Sequence, residues 1–489
     1  MRTCLRTAAV LGSLLLAACR TTSFQPDATT RDIDRLVEQT LREIPDVKSV
    51  GLAIVRDGKP YYAAGYGLAD VEHQVRADAN TGYYIASSTK SYTGLACAVL
   101  ASRGLIDLDA PIAKYLPEVT SDAGKITLRQ FLTHTAPIEN EPIVFRTAYS
   151  GEHTPAQLVS LLNSSRPRKE GFQYDNLGYV VASLVIERVT GKPWQCALDE
   201  LVFAPLGMRA TTAYMSEAQR RALALPYEAN RRAEMVRSEF VKNDQMMHAA
   251  GGIVTTPTDL TRWLAANVND GRIDSRQLIA AAPFAEAHRQ QVAAAVQREA
   301  FKASGYGFGW YVADYAGDKV LFHLGGFEGW RAHVSFMPEK KIGVAVVTNS
   351  GGMSGVVMNF LAASVYDRLL GKADSNQLPK LAENMKKQHE QFIAGVAERA
   401  KRPWMLKHPN EAYVGRYANP QFGDLTIEQR GDKLYASLEH LTSVVEAFTE
   451  PESARVEIVP NSGSVLRFAF EGDAVTAVKW DDEVFQRVR

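Results

Sequence analysis

Ile85-Ala-Ser-Ser-Thr-Lys-Ser-Tyr-Thr-Gly94 is the stretch on which the reading of this 489-residue chain turns. It opens a run poor in helix breakers that continues to Arg103 and stops before Gly104, so a helix with an Ala/Leu/Val core face is predicted over 87–103. Residues i and i+3 share a helix face, which lets the Ser87 hydroxyl and the Lys90 amine meet. A serine hydroxyl is a poor nucleophile until a neighbouring base takes its proton. The first turn of a helix also favours developing negative charge. Taken alone the spacing is weak, because a capping serine followed by a solvated lysine gives the same letters.

Upstream, residues 50–68 read as a hairpin: an apolar strand, an Asp57-Gly58 turn and an aromatic strand. Downstream, helices are predicted at 127–133, 155–163, 177–190 and 257–270. Strands then return at 306–313, 319–324, 331–336 and 342–348, with Pro338-Glu339-Lys340 as a turn. Strand, helices, strands again is the order of an α+β domain: an antiparallel sheet flanked by helices, with an all-helical subdomain between its two halves. This domain is assigned to 48–372.

Past it the texture changes. Leu378, Leu381, Met385, Phe392 and Val396 recur at helical spacing among Lys, Glu and Gln, which predicts an amphipathic helix over 378–401 within a linker at 373–408. From 409 to 489 the chain breaks into short alternating strands at 424–428, 433–438, 455–458, 465–470 and 475–480, punctuated by Gly423, Gly431, Gly463 and Gly472. That predicts a small all-β barrel or meander.

Composition narrows the function classes. Hydrophobic residues make up 46% and charged residues 22%, which excludes a disordered or collagen-like chain. Lys plus Arg equals 55 and Asp plus Glu equals 55, so there is no basic excess to drive nucleic-acid binding. No apolar run is long enough to span a bilayer. The expected partner is a small molecule or short peptide; oligomeric state is not legible.

Residues 1–18 read as an export signal, with Arg2 and Arg6 ahead of a short apolar run from Ala8 to Ala18. The run ends in Leu16-Ala17-Ala18-Cys19, which resembles a bacterial lipoprotein lipobox; that resemblance implies cleavage before Cys19 and lipidation of its thiol. The alternative is an ordinary secretory signal in which this cysteine is incidental. Arg20 is not the aspartate that marks inner-membrane retention in double-membraned bacteria, so the expectation is a lipoprotein facing the periplasm, the outer membrane favoured. Residues 19–47 then hold a Thr/Ser/Asp/Pro-rich tether and a first helix. Cys97 and Cys196 remain; export permits a bridge between them, but sequence does not supply the geometry. No Cys/His cluster has metal-ligand spacing, and no metal or other cofactor is expected.

Two further motifs could carry chemistry. Tyr174-Asp175-Asn176 precedes an apolar helix; a tyrosine beside a lysine can have its phenolate favoured and act as a base, and Asn176 could donate to a substrate carbonyl. His323-Leu324-Gly325-Gly326 ends the apolar strand Val320-Leu321-Phe322, where glycine lets a substrate lie along a strand edge and a bare N–H face an oxyanion. Each is weak alone, and decoys exist in Tyr417-Ala418-Asn419 and Lys341-Ile342-Gly343.

Their order decides the matter. Ser-x-x-Lys, then Tyr-x-Asn, then a basic residue followed by x-Gly on a late strand resembles the serine β-lactamase and penicillin-binding-protein superfamily. Ile85 to Gly94, Gly104 to Pro111, Tyr115 to Glu118, Ile126 to Thr135, Pro205 to Met208, Ala250-Gly251-Gly252, Gly305 to Trp310 and His323 to Gly329 are all similar to its class C branch. The C-terminal span resembles a lipocalin-like appendage of such hydrolases. The resemblance implies Ser87 as nucleophile, Lys90 and Tyr174 as proton relay, Ser87 and Gly326 N–H groups as oxyanion donors, and Asn176, His323 and Gly325 against the substrate.

Two departures matter. His323 stands where β-lactamases carry lysine, as in esterases and D-amino-acid peptidases of the superfamily, so esters or amides (short-chain esters, D-amino-acid peptides, cell-wall fragments) are expected ahead of β-lactams. A histidine would hold a substrate carboxylate only as pH falls toward ~6. Ala136-Pro137-Ile138 replaces the branch's Ser-Gly, and His134 before it reads as structural. A weak β-lactamase or D,D-carboxypeptidase, and a binding protein that does not turn over, stand as alternatives.

Overall fold

The computed structural model describes residues 27–230, 232, 234–372 and 377–488. The signal segment and Cys19 lie outside the described residues. Helix α1 (Ala28–Glu43) starts at a capping box in which the Asp27 carboxylate accepts the Thr30 N–H at 2.9 Å. The main sheet is antiparallel throughout. In chain order its strands are β1 (Ser49–Arg56), β2 (Lys59–Asp70), β3 (Val292–Arg298), β4 (Phe301–Tyr306), β5 (Tyr311–Tyr315), β6 (Asp318–Phe327), β7 (Trp330–Met337) and β8 (Ile342–Thr348). In space they run β3-β4-β5-β6-β7-β8-β1-β2, with Val75–Arg76 beyond β2. The β1–β2 turn is tight because Asp57 and Gly58 both take positive φ, 52° and 71°.

Alternation along the central strands builds a core on each face. Ala332, Val334 and Phe336 of β7 join the core shared with α2 (Thr89–Ser102), α3 (Leu177–Thr190) and α4 (Pro257–Val268). Val344 and Val346 of β8 pack on the other side with α1 and α5 (Ser354–Leu369). The helical segment between β2 and β3 covers the first face and supplies α2 and α3 to the site.

After α6 (Leu378–Ala400), the chain forms a nine-stranded antiparallel sheet that runs from Gly415 to Arg487. Its two edge strands, Leu441–Val444 and Glu446–Ala447, are separated by one residue, so the sheet curls almost into a closed barrel. Phe145, from the helix Glu141–Phe145 of the other domain, enters the barrel core, with ring centroids 5.7 Å from Phe422 and 5.8 Å from Trp480.

The fold is the α+β arrangement expected. Several elements differ from expectation. The single strand expected at 306–313 is two strands, β4 and β5, separated by the turn Gly307-Phe308-Gly309-Trp310. A Cβ at Gly309 would stand 2.4 Å from the Lys90 and Ser91 backbone, and one at Gly94 would stand 2.7 Å from the Phe308 carbonyl. The turn is thus pressed against α2, a tertiary contact that no local pattern carries. The helix expected to begin at 87 starts as a 3₁₀ turn over Ala86–Ser88 before α2. Strand β3 and the barrel strands Gly415–Asn419, Leu441–Val444, Glu446–Ala447 and Glu483–Arg487 had no expectation attached. Cys97 is a free, buried thiol in α2, so no bridge joins it to Cys196. Of the decoys, Tyr417 and Asn419 sit in a barrel strand, and Lys341 sits in the β7–β8 turn with Nζ on the Val268 carbonyl at 2.7 Å.

Candidate active site

Ser87 lies on the 3₁₀ turn that leads into α2, directly after Ala86, whose φ is +44°. A non-glycine residue in that region costs about 1–2 kcal/mol, held here by the surrounding packing. The packing is close: a Cβ at Gly325 of β6 would stand 2.0 Å from the Ile85 carbonyl oxygen. Gly325 therefore lets β6 touch the turn that presents Ser87. Gly326 has no such constraint, since the nearest atom to its Cβ position is 3.5 Å away.

Lys90, one turn along, is fully buried. Its Nζ donates to Ser87 Oγ at 3.3 Å, to Asn176 Oδ1 at 2.7 Å and to the Ala250 carbonyl at 3.0 Å. Among the described residues no carboxylate lies within ion-pair distance of it. Desolvation dominates and pulls the amine down to about 7, against a weaker opposing pull from Asp175. A lysine so placed is substantially neutral at physiological pH and can accept a proton.

Tyr174 and Asn176 arrive from the segment before α3. Tyr174 is 41% exposed as a residue, while its phenol group is buried in the site and interacts with Ser87. Burial of that group raises its pKa above the usual phenol value, and the Ser87 hydrogen bond only partly offsets this. This corrects the expectation of a favoured phenolate: Lys90 Nζ lies over the face of the ring, 4.8 Å from its centroid, and its own charge is weakened by burial. Asn176 spends its oxygen on Lys90 and leaves Nδ2 without a hydrogen bond among the described residues.

His323 is placed differently from its expected role. It is 1% exposed; Nδ1 donates to the Leu324 carbonyl at 2.7 Å and Nε2 faces the Tyr306 hydroxyl at 3.2 Å. Desolvation first, and Lys90 second, push its pKa well below the usual imidazole value. It stays neutral near pH 6, so the expected acid-side gain for carboxylate substrates has no basis in this ring. Tyr306 Oη also reaches His134 Nε2 at 3.3 Å. On its other side His134 Nδ1 accepts the Asp175 N–H at 3.3 Å, and Asp175 pairs with Arg168 at 2.5 Å. His134 is thus a buried link between the Tyr174–Asn176 segment and β6.

The half of β6 beyond Phe322 has no partner on its β5 side, because β5 pairs only with Asp318–Phe322. Ser87, Tyr174, His323, Gly325 and Gly326 line a cavity of about 530 Å³ along that open edge. That volume suits a small organic or peptidyl substrate. Sequence reasoning missed the Ala250 carbonyl, Tyr306 and Arg331, which also lines this cavity. Among the described residues no His/Cys/Asp/Glu group has the arrangement of a metal site.

The fold and the site define a serine hydrolase of the β-lactamase type. The Beta-lactamase family profile matches residues 37–367, and the chain belongs to that family. It is 24% identical over 464 residues to the "Unguisins hydrolase ungD'" of Aspergillus campestris, covering 88% of this chain and 84% of that protein. It is 25% identical over 328 residues to the "Protein flp" of Staphylococcus aureus, of whose length it spans 63%. The octameric penicillin-binding protein homologue from Pyrococcus abyssi shares the fold with a TM-score of 0.60 at 22% identity, over 93% of this chain and 99% of that one. The D-amino acid amidase from Ochrobactrum anthropi does so with a TM-score of 0.59 at 24% identity, over 71% and 98%.

Proposed function

We propose that the protein is an exported, lipid-anchored hydrolase that acts through a Ser87 acyl-enzyme on esters or amides, with D-amino-acid peptides, cell-wall fragments and short-chain esters as the substrate class. The observation that carries this reading is the buried Lys90 amine, drawn down to about 7 and 3.3 Å from Ser87 Oγ. Neutral Lys90 takes the Ser87 proton as Oγ attacks the carbonyl carbon. The Ser87 and Gly326 N–H groups hold the oxyanion, each donor contributing about 3–4 kcal/mol in comparable hydrolases. As the tetrahedral species collapses, the leaving group departs with a proton delivered through Tyr174, whose raised pKa suits a donor. Water then cleaves the acyl-enzyme through the same groups. Asn176 Nδ2 is free to meet a substrate carbonyl.

Two relatives that carry hydrolytic names, an amidase for D-amino acid amides and a hydrolase for unguisins, support amides as well as esters. The Cys19 lipobox is the basis for membrane attachment on the periplasmic side. Fluorophosphonate labelling of Ser87, followed by a panel of p-nitrophenyl esters, D-amino-acid anilides and nitrocefin, tests the reading. Labelling without turnover of any of these would favour a binding protein.

A further inference from the structure

The Ser87 cavity does not end at Gly326. It meets a second cavity of about 720 Å³, enclosed by the β6–β7 turn, by Met385 and His389 of α6, and by Pro460 and Asn461 of the barrel domain. Both cavities are lined by Gly326, Arg331, Gly352 and Met353. Of these four, only Arg331 is charged.

Arg331 is the register partner of Gly326 across β6 and β7, and its Cδ lies 3.5 Å from where a Gly326 Cβ would be. The arginine thus lies along the strand at the junction, in ordinary contact distance of that position. One terminal nitrogen is spent on the turn: Nη1 donates to the Phe327 carbonyl at 2.6 Å and to the Trp330 carbonyl at 2.8 Å. Nε and Nη2 carry no hydrogen bond among the described residues. The two nearby carboxylates are otherwise engaged. Glu228 accepts the Gly329 N–H at 3.1 Å, and Glu328 accepts Ser238 Oγ at 3.2 Å and Asn461 Nδ2 at 2.9 Å. Neither comes within ion-pair distance of the guanidinium. The result is a half-buried, preformed cation with its fork free, beside the strand edge that borders Ser87.

We propose that Arg331 is a specificity-determining residue that holds an anionic group of the substrate, a carboxylate, at the junction beside Gly326. This rests on the acyl-enzyme reading and deepens it by naming the substrate class. A planar guanidinium with two adjacent N–H directions matches a carboxylate in bidentate fashion. Glu228 and Glu328 also line the second cavity and act on Arg331 through space, but they leave its Nε and Nη2 without a hydrogen bond, and the groups on the Ser87 side do not compete. His323 has both nitrogens occupied and stays neutral, Glu299 accepts from Asn359 Nδ2 at 2.5 Å, and Arg298 is an exposed surface cation on the edge strand β3, where salt screens it. Guanidinium keeps its charge across the working range, so recognition through Arg331 does not fade as pH rises, as recognition through a histidine would.

The test uses matched p-nitrophenyl esters of adipate and pimelate, each as the free carboxylate and as the methyl-capped neutral form, with Ser87→Ala giving the background rate. Wild-type enzyme is expected to favour the carboxylate form by at least ~10-fold in kcat/KM, the scale of a charge-assisted hydrogen bond. That ratio should stay level between pH 6.5 and pH 9. Arg331→Gln should bring the ratio close to one, and Arg331→Lys should leave it in between. A wild-type ratio near one overturns the proposal without any variant having to fold. So does a ratio that survives in Arg331→Gln, or one that decays as pH rises through the histidine range. Absence of turnover on all four esters, with Ser87 unlabelled by a fluorophosphonate, removes the acyl-enzyme reading and the anchor with it. Turnover without charge preference removes the anchor alone.

Discussion

Lys90 Nζ stands 3.3 Å from Ser87 Oγ in a shell of neutral acceptors, with no carboxylate among the described residues to hold its proton. On the proposed acyl-enzyme reading, the base is therefore switched by a single deprotonation near pH 7. We expect kcat/KM for a neutral ester to rise with pH through about 7 and then level. Tyr174→Phe should lower the plateau but leave this limb in place, because the phenol is shifted upward, away from neutrality. A limb that disappears in Tyr174→Phe would assign the titration to the tyrosine.

The same burial carries a stability signature. Lys90 titrates at about 7 when folded and near its ordinary 10.5 when unfolded, so between these values the unfolded chain binds more protons and stability rises with pH. Lys90→Met removes the buried amine. It should raise the melting temperature over wild type most at pH 6, with the gain shrinking as pH climbs from 7 toward 10. Calorimetric scans across that range check the sign.

Ser87→Ala should abolish both hydrolysis and covalent labelling while circular dichroism stays native. Lys90→Ala and Tyr174→Phe should each cost at least ~10² in kcat, the scale of lost acid–base help. The double variant should lose less than the product of the two, since both serve one proton path. Steady-state kinetics on one ester suffices.

Gly325 and Gly326 are neighbours in sequence with opposite tolerance. Gly325→Ala drives a methyl to 2.0 Å from the Ile85 carbonyl and should destabilise. The expected penalty is about 1–3 kcal/mol, with activity falling as the Ser87 turn is displaced. Gly326→Ala meets nothing nearer than 3.5 Å and should melt within a degree or two of wild type. Equal melting temperatures for the two variants would mean that β6 does not press on that turn.

Cys19→Ser should move the protein from the membrane to the soluble fraction of the exporting cell. Unchanged partitioning would point to a different mode of attachment. Cell fractionation with an antibody to the chain reads this directly.

Long breaker-free segments and tight turns were legible in the sequence: α3 occupies 177–190 as its composition implied, and the Asp57-Gly58 turn fixes the first hairpin. Strand β3 was not, because Val292 is followed by three alanines, which give neither alternation nor bulk. The side chains around Lys90 are recognisable as residue types, and Asn176 reaches it across 86 positions. The Ala250 carbonyl is backbone and leaves no mark in a sequence. Arg331 sits in Trp330-Arg331-Ala332, where only the pairing with Gly326 gives it meaning. His323 was visible, but its charge state is set by burial and by Lys90, and neither is local.

Phe145 reaches out of the hydrolase domain into the interior of the barrel, and behind it Tyr149 stacks toward Phe327, their centroids 5.7 Å apart. The boundary near residue 409 is consequently a division of the chain but not of the packing. A gene shortened at that point would encode a hydrolase with an aromatic plug left in water, and the freed barrel would carry a hole of matching size. Three aromatic rings, Phe145, Tyr149 and Phe327, thus form a continuous line of contact from the barrel interior to the residue that follows Gly326.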